Sequence, residues 1–483
     1  MRFHYPGAEE VPALIEREGS RQDFTEGSIP RHLINFSIPM FLGNLLQALY
    51  NTVDSIWVGK FLGTESLAAV SVSFPIIFAI LALVSGLSLA ATTLVAQYAG
   101  ARDAGMVKKT IGNSFVLLGI LGIVSSVAGV VFRVQILRLI NTPPAILDLA
   151  SSYLGVFLSG SLVTFAYNIV SAVLRGLGDS RTPLVFLAYA TVLNIILDPI
   201  MIFGVGPIPR MGVTGAALAT VIAQALSAVL GVRHLLRAGL LDTDRDSWKL
   251  DRHLTKLTFS IGLPAGIQQV IVSLGMLTLT SIVNRFGPVV VASFGVGGRL
   301  DQFAFMPAMT VGLSVTALVG QNLGAQKYDR VKEVTRWSVL LTVGITGIVS
   351  FLAVAFPKVL LELFTSSPEV LAEGSVYLRT MGLAYIPYGL MFTLSGVLRG
   401  AGDTFPSMLI SVVTLWLVRI PLASYLSKLL GSRGIWIALA ASPVVGAALN
   451  WLYYVSGRWK AKVVTRPGPD AGREVSAARD STL

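Results

Sequence analysis

The sequence predicts an all-α polytopic membrane protein of twelve transmembrane helices arranged in two pseudo-symmetric six-helix lobes. Three observations carry that expectation. Of 483 residues, 53% are hydrophobic and only 13% are charged, with a mean hydropathy of +0.71; a soluble chain of this size holds about twice that share of charge. Apolar stretches of the roughly 20 residues that a helix needs to cross a bilayer recur twelve times. Polar landmarks of the first half return in the second half at a nearly constant offset. This composition excludes an ordinary soluble enzyme, a disordered chain and a nucleic-acid module. With no cysteine in the chain, disulfides, thiolate zinc sites and cysteine nucleophiles are excluded as well.

In chain order, residues 1–30 carry Glu9, Glu10, Glu16, Glu18, Asp23 and Glu26 and lack the apolar core of a signal peptide. They read as a cytoplasmic tail with one amphipathic turn around 11–15. The first lobe, 31–236, holds apolar runs at 33–59, 67–97, 110–134, 147–173, 184–206 and 211–236. A charged cytoplasmic linker follows at 237–256. The second lobe, 257–456, holds runs at 257–283, 288–319, 335–361, 375–398, 407–428 and 433–455, and a cytoplasmic tail closes the chain at 457–483. None of the runs alternates apolar with polar residues, which rules out a membrane barrel. Pro39, Pro75, Pro199, Pro264, Pro307, Pro387 and Pro421 fall inside runs, where each removes a backbone hydrogen bond and kinks its helix.

Charge orients the spans. With both termini and the loops after even-numbered spans on one side, 26 of the 37 Lys and Arg residues lie in or beside that side and nine on the other. The excess places both termini in the cytoplasm of a multi-pass plasma-membrane protein. It also explains the net charge of +11 without nucleic acid. The remaining two, Arg299 and Arg419, fall within runs and away from their ends. For these, and for Asp301 beside Arg299, an ion pair inside the lobe or snorkelling to the interface is expected.

The duplication has a period of about 224 residues. "LVAQYAGARDAGMVKKT" at 94–110 answers "LVGQNLGAQKYDRVKEVT" at 318–335, and "VLRGLGDSRTP" at 173–183 answers "VLRGAGDTFP" at 397–406. Pro39 answers Pro264. Because the matches involve Gln, Arg, Gly, Asp and Pro, chance similarity among leucine-rich helices does not account for them. Six spans per copy give both halves one orientation, with an axis along the membrane normal and a cleft between them. The pairs Gly178-Asp179 and Gly402-Asp403 read as helix-end structure rather than as phosphate cradles, and no GxxxxGK[ST] segment is present for ATP.

Chemistry concentrates in the first half. Asn44, Gln47, Asn51 and Asp54 are spaced 3, 4 and 3 residues apart, which places them on one narrow face of the first span. Asn194 and Asp198 stand one turn apart in the fifth span. At about 1.5 Å per residue, Asp54 lies about 8 Å and Asp198 about 12 Å below the outer surface, a similar depth. A carboxylate there must be neutralised by a proton, a cation or a partner. Asn194, Asn51 and the Thr220 hydroxyl would complete an oxygen-rich site around the two acids, one suited to sodium at Asp54, Asp198 and Asn194 if sodium is the ion. Tyr153 and Asn168 in the fourth span are further candidates facing the lobe. The duplicate positions in the second half are Gln269, Val272, Met276 and Leu279 in span 7 and Trp416 and Ile420 in span 11. That half keeps the scaffold without the polar face, so coupling is assigned to the first.

The segments "PMFLGNLLQALYNTVDSIWVGKFLG", "GLSLAATTLVAQYAGA", "VLRGLGDSRTP" and "LNIILDPIMIFG" resemble the multidrug and toxic compound extrusion (MATE) family over about residues 30–457, and within it the DNA-damage-inducible-protein-F-like branch. The resemblance implies two six-helix lobes around a central cavity. It also implies export of amphipathic, often cationic compounds driven by inward protons or sodium, with Gln47, Asn44, Tyr153, Asn168 and Asn194 contacting substrate or the cation network. The expected function is therefore secondary active multidrug efflux by alternating access. The partners expected are organic cations, the coupling ion and the lipid bilayer; no nucleic acid and no cofactor are expected, and the transporter is expected to be a monomer. A flippase for lipid-linked saccharides would need a basic cavity, and the basic signature of a major-facilitator carrier after span 2 is not matched. Neither a repeated filter sequence for a channel nor a nucleophile–base set for an enzyme is present.

Overall fold

The computed structural model describes residues 22–241 and 248–465. The amphipathic turn expected at 11–15, most of the N-terminal tail, residues 242–247 of the linker and the tail from 466 onward lie outside the described residues.

Among the described residues the chain is a succession of helices. We number the twelve spans α1 to α12. In the first half they are α1 (Ile29–Phe61), α2 (Gly63–Gly100), α3 (Ala104–Leu139), α4 (Pro144–Ser159 continued by Ser161–Gly176), α5 (Arg181–Phe203) and α6 (Val213–Arg237). The second half holds α7 (Arg252–Val283), α8 (Pro288–Gly324), α9 (Tyr328–Ala355), α10 (Pro368–Gly382 continued by Tyr385–Gly400), α11 (Thr404–Leu430) and α12 (Ser432–Val455). Three of their starts are chemically marked. Asp103 and Asp251 accept from the backbone N–H groups of Met106 and Leu254 at 2.9 Å, and Asp179 accepts from Arg181 and Thr182 at 3.0 Å, filling orphan donors at the first turns of α3, α7 and α5. Asp179 thus acts as a helix cap, as its position after Gly178 suggests, and Gly178 and Gly402 both sit at positive φ.

Three spans are not continuous. α4 bends by 46° at Gly160 and α10 by 45° around Leu383 and Ala384. At Gly160 a Cβ would run into the Val221 side chain of α6, so the glycine is there for close approach, and it also weakens the helix. In α10 the missing N–H of Pro387 leaves the carbonyl of Leu383, four residues earlier, without its partner. α11 widens into a π-helical segment at Val413–Arg419, just before Pro421. Pro39, Pro75, Pro199, Pro264 and Pro307 instead sit inside helices that continue past them.

The two halves meet along α1, α2, α7 and α8. On the face that carries both described chain ends, the seam is reciprocal. Gly100 lies against the backbone of Gln321 with no room for a Cβ, and its counterpart Gly324 lies in the same way against Gln97. The buried Gln97 donates to the carbonyl of Gly400 at 2.9 Å, and Gln321 donates to the carbonyl of Gly176 at 3.0 Å. The chain ends reinforce the crossing. The backbone N–H of Val464 donates to Gln97 Oε1 and that of Phe24 to Gln321 Oε1. Arg330 donates to the carbonyls of Phe24, Glu26 and Gly27. This face is closed.

Candidate functional site

α1, α2, α4, α5 and α6 surround a cavity of about 410 Å³ in the part of the first lobe away from the closed face. Gln47, Asn51 and Asp54 line it from α1, Tyr153, Thr164 and Asn168 from α4, and Thr220 and Gln224 from α6. Asp198 and Asn194 of α5 are fully buried behind its wall. There Asn194 Nδ2 donates to Asp198 Oδ1 at 3.1 Å, and the Thr220 hydroxyl donates to Asp54 Oδ2 at 3.2 Å. The Asp54 carboxyl lies against Asp198 and Asn194 as well as Thr220. Two acids from helices separated by more than a hundred residues are thus brought together, one turn of α5 supplying the amide between them.

The other side chain oxygens at this point have no hydrogen-bond partner. Asp54 Oδ1, Asp198 Oδ2, Asn194 Oδ1 and the Tyr50 hydroxyl are all sealed from solvent and meet no donor in good hydrogen-bond geometry, although the two acids lie against each other and Tyr50 lies beside Thr220. A buried unpaired polar atom costs about 1–3 kcal/mol, more when charged, so four together mark a place built for something that oxygen ligands hold. The donor set, carboxylate, amide and hydroxyl oxygen without nitrogen or sulfur, fits a proton or a hard monovalent cation. No cluster of three or more His, Cys, Asp or Glu exists among the described residues.

The remaining expected residues are distributed around this centre. Asn51 lines the cavity, but its side chain oxygen accepts from Gln47 Nε2 at 3.2 Å rather than joining the hydrogen bonds around the acids. Asn44 turns away and donates to the Thr310 hydroxyl of α8 at 3.0 Å, joining the two lobes. Tyr153 lines the cavity wall beside Phe157. Asn168 donates to the carbonyl of Thr164, and Thr164 is hydrogen-bonded to Gln224. Tyr50, Thr164 and Gln224 were not among the expected residues. The signal for two of them was present, since Thr164 with Asn168 and Thr220 with Gln224 are polar pairs one turn apart inside apolar runs.

A second chamber of about 220 Å³ lies below the first, toward the closed face. Gln47, Tyr167, Asn168 and Leu187 line both. Arg175 also lines the lower chamber. The fourth run ends at residue 173, which placed Arg175 in a loop; the helix in fact continues to Gly176 and carries Arg175 into the lobe.

In the second lobe the expected ion pair is absent, and a hydroxyl network replaces it. Buried Asp301 accepts from the Tyr377 hydroxyl at 2.5 Å and the Tyr385 hydroxyl at 2.7 Å. Buried Arg419 donates to Ser442 at 2.7 Å and to the Tyr388 hydroxyl. Tyrosines of α10 satisfy the acid and the guanidinium separately, so neither snorkels nor meets the other. Arg299 is exposed.

A family model described as MatE matches residues 39–200 and again 264–425, so each copy of the duplication is recognised separately, from Pro39 and from Pro264. The chain belongs to the MatE family. Among MatE relatives it is 35% identical to the probable multidrug resistance protein YpnP of Bacillus subtilis, over 91% of this chain and 98% of that one. It is 30% identical to the probable multidrug resistance protein NorM of Thermotoga maritima, over 90% and 94%. A solved structure described as the outward-facing conformation of a multidrug resistance MATE family transporter superimposes with a TM-score of 0.85 at 26% identity, covering 92% of this chain and 99% of that one. This MatE protein is therefore a multi-pass membrane transporter with the twelve-helix, two-lobe MATE fold.

Proposed function

We propose that this transporter is a cation-coupled multidrug exporter of the plasma membrane, with both termini in the cytoplasm and amphipathic organic cations as cargo. The observation that carries the reading is the Asp54–Asp198 pair with its four unpartnered oxygens, set in a cavity of the first lobe while the face bearing the chain ends is sealed. With the basic excess placing that sealed face inside the cell, the state described is open to the outside. In it Asp54, Asp198, Asn194, Thr220 and the Tyr50 hydroxyl take up a proton or sodium. Neutralising the acids removes the attraction that holds an organic cation in the same cavity, and cargo leaves outward. The ion is released after the seam opens to the cytoplasm, where its electrochemical potential is lower. Differential affinity between the two states is what lets the ion drive the change.

Efflux from proteoliposomes with pH and sodium gradients imposed separately tests this. Asp54→Asn and Asp198→Asn are each expected to abolish uphill efflux under either gradient while the protein keeps its thermal unfolding profile. Full coupled efflux in both variants would overturn the assignment of coupling to this pair. The saccharide-lipid flippase reading is disfavoured by the cavity itself, whose lower end holds a single arginine for a pyrophosphate.

A further inference from the structure

We propose that the lower chamber is an anion seat, and that together the two chambers bind amphipathic zwitterions, cationic end at the acid pair and carboxylate end on Arg175. The inference rests on the exporter reading above and names a substrate class for it. Three observations point there.

Arg175 donates from Nη1 to the Ser171 hydroxyl at 2.7 Å, and among the described residues no acidic side chain pairs with it. A guanidinium inside a lobe without a counter-charge is costly unless something anionic visits it.

The duplication supplies an internal control. The counterpart of Arg175 is Arg399, whose Nη2 donates to Gln268 Oε1 at 3.2 Å. In the alignment that pairs Pro39 with Pro264, the residue corresponding to Gln268 is Gly43. Gly43 lines the lower chamber, and a Cβ there would meet only Leu184 Cδ1, at 3.9 Å. The second lobe thus fills this space with the amide that occupies its arginine, whereas the first leaves the space empty and the arginine available.

The third observation is continuity. Gln47, Tyr167, Asn168 and Leu187 line both chambers, so one molecule can lie across them. From Asn44, beside the lower chamber, to Asp54 is ten residues of α1, or about 15 Å. Taken together, the volumes of about 410 and 220 Å³ make a space in the range of drug-sized sites. A site with carboxylates at one end and a guanidinium at the other selects ligands of opposite polarity along their length.

The test uses two dyes that differ at one group. Rhodamine 110 is a zwitterion with a free carboxylate, and rhodamine 123 is its cationic methyl ester. Fluorescence polarisation with the purified full-length transporter at pH 7.5 gives the ratio of their affinities. Arg175→Gln is expected to lower the preference for rhodamine 110 over rhodamine 123 at least tenfold, and Arg175→Lys to retain most of it. Gly43→Gln keeps the charge but offers Arg175 the amide that Arg399 already has; it is expected to lower the ratio as Arg175→Gln does. If Arg175→Gln weakens both dyes equally or leaves the ratio where it was, the arginine is structural and the anion seat is wrong, while the exporter reading stands on rhodamine 123 binding by the parent. If the parent binds neither dye, both readings fall.

Discussion

At the residue scale, the polar stripe of α1 shows how one helix serves two neighbours. On a helix of about 3.6 residues per turn, Asn44 and Asp54 sit about 80° apart around the axis. Asp54, at one edge, turns into the lobe toward Thr220, and Asn44, at the other, reaches Thr310 across the seam. The stripe was legible in the sequence, because polar groups at regular helical spacing in an apolar run stand out. Which edge faced which neighbour was not, because that depends on how α1 is rotated between α5 and α8. Tyr50 was hidden for another reason: tyrosine is unremarkable in an apolar run until its hydroxyl proves to be sealed without a partner. That orphan hydroxyl makes a prediction. Tyr50→Phe removes a group that gains nothing in the ion-free protein, so thermal stability is expected to hold within about 0.5 kcal/mol or to rise. The concentration of driving ion at half-maximal efflux is expected to increase severalfold. Calorimetry and a cation titration of transport check the two halves of this expectation.

At the element scale, twelve spans were readable from length and apolarity alone, and their order matches the helices observed. The breaks in α4, α10 and α11 were not readable, because five other prolines lie inside helices that run on past them. A helix breaks where a weak point, a proline's missing donor or a glycine's freedom, coincides with a packing demand, and that demand comes from a neighbour distant in sequence. Gly160 is the clearest case, since Val221 of α6 occupies the space a side chain would need. Gly160→Ala is therefore expected to push α4 from α6 and to destabilise the protein by about 1–3 kcal/mol, the usual cost of overpacking. Thermal unfolding in detergent measures it. An alanine variant as stable as the parent would show that the bend tolerates more room than the contact implies. Arg175 shows the same boundary problem at the end of an element: a run that stops at the last apolar residue omits the final turn of its helix.

At the scale of the whole molecule, the duplication was the most legible feature, and so was the asymmetry within it: the acid pair and its unpartnered oxygens lie in the first lobe, while the second places its own acid between two tyrosine hydroxyls. The seam was invisible in sequence, although Gln97 and Gln321 stand in matched motifs, because nothing in one copy reveals that its glutamine reaches the other. Weakening it is expected to shift the population toward opening at the face of the chain ends. Lys109 and Glu333 are exposed there at equivalent positions of the two copies, and the chain has no cysteine to interfere with labelling. Spin labels at Lys109→Cys and Glu333→Cys should report a longer distance component when Gln97→Ala and Gln321→Ala are added, and a distribution identical to the parent would show that the glutamines do not hold this face. The crossing has a consequence for origins as well. Each six-helix unit carries both a glutamine donor and the glycine carbonyl that receives one, so the contact is of the self-complementary kind made by two identical subunits. An unfused ancestor could have closed upon its own twin with these same groups, leaving gene fusion to contribute only a connector.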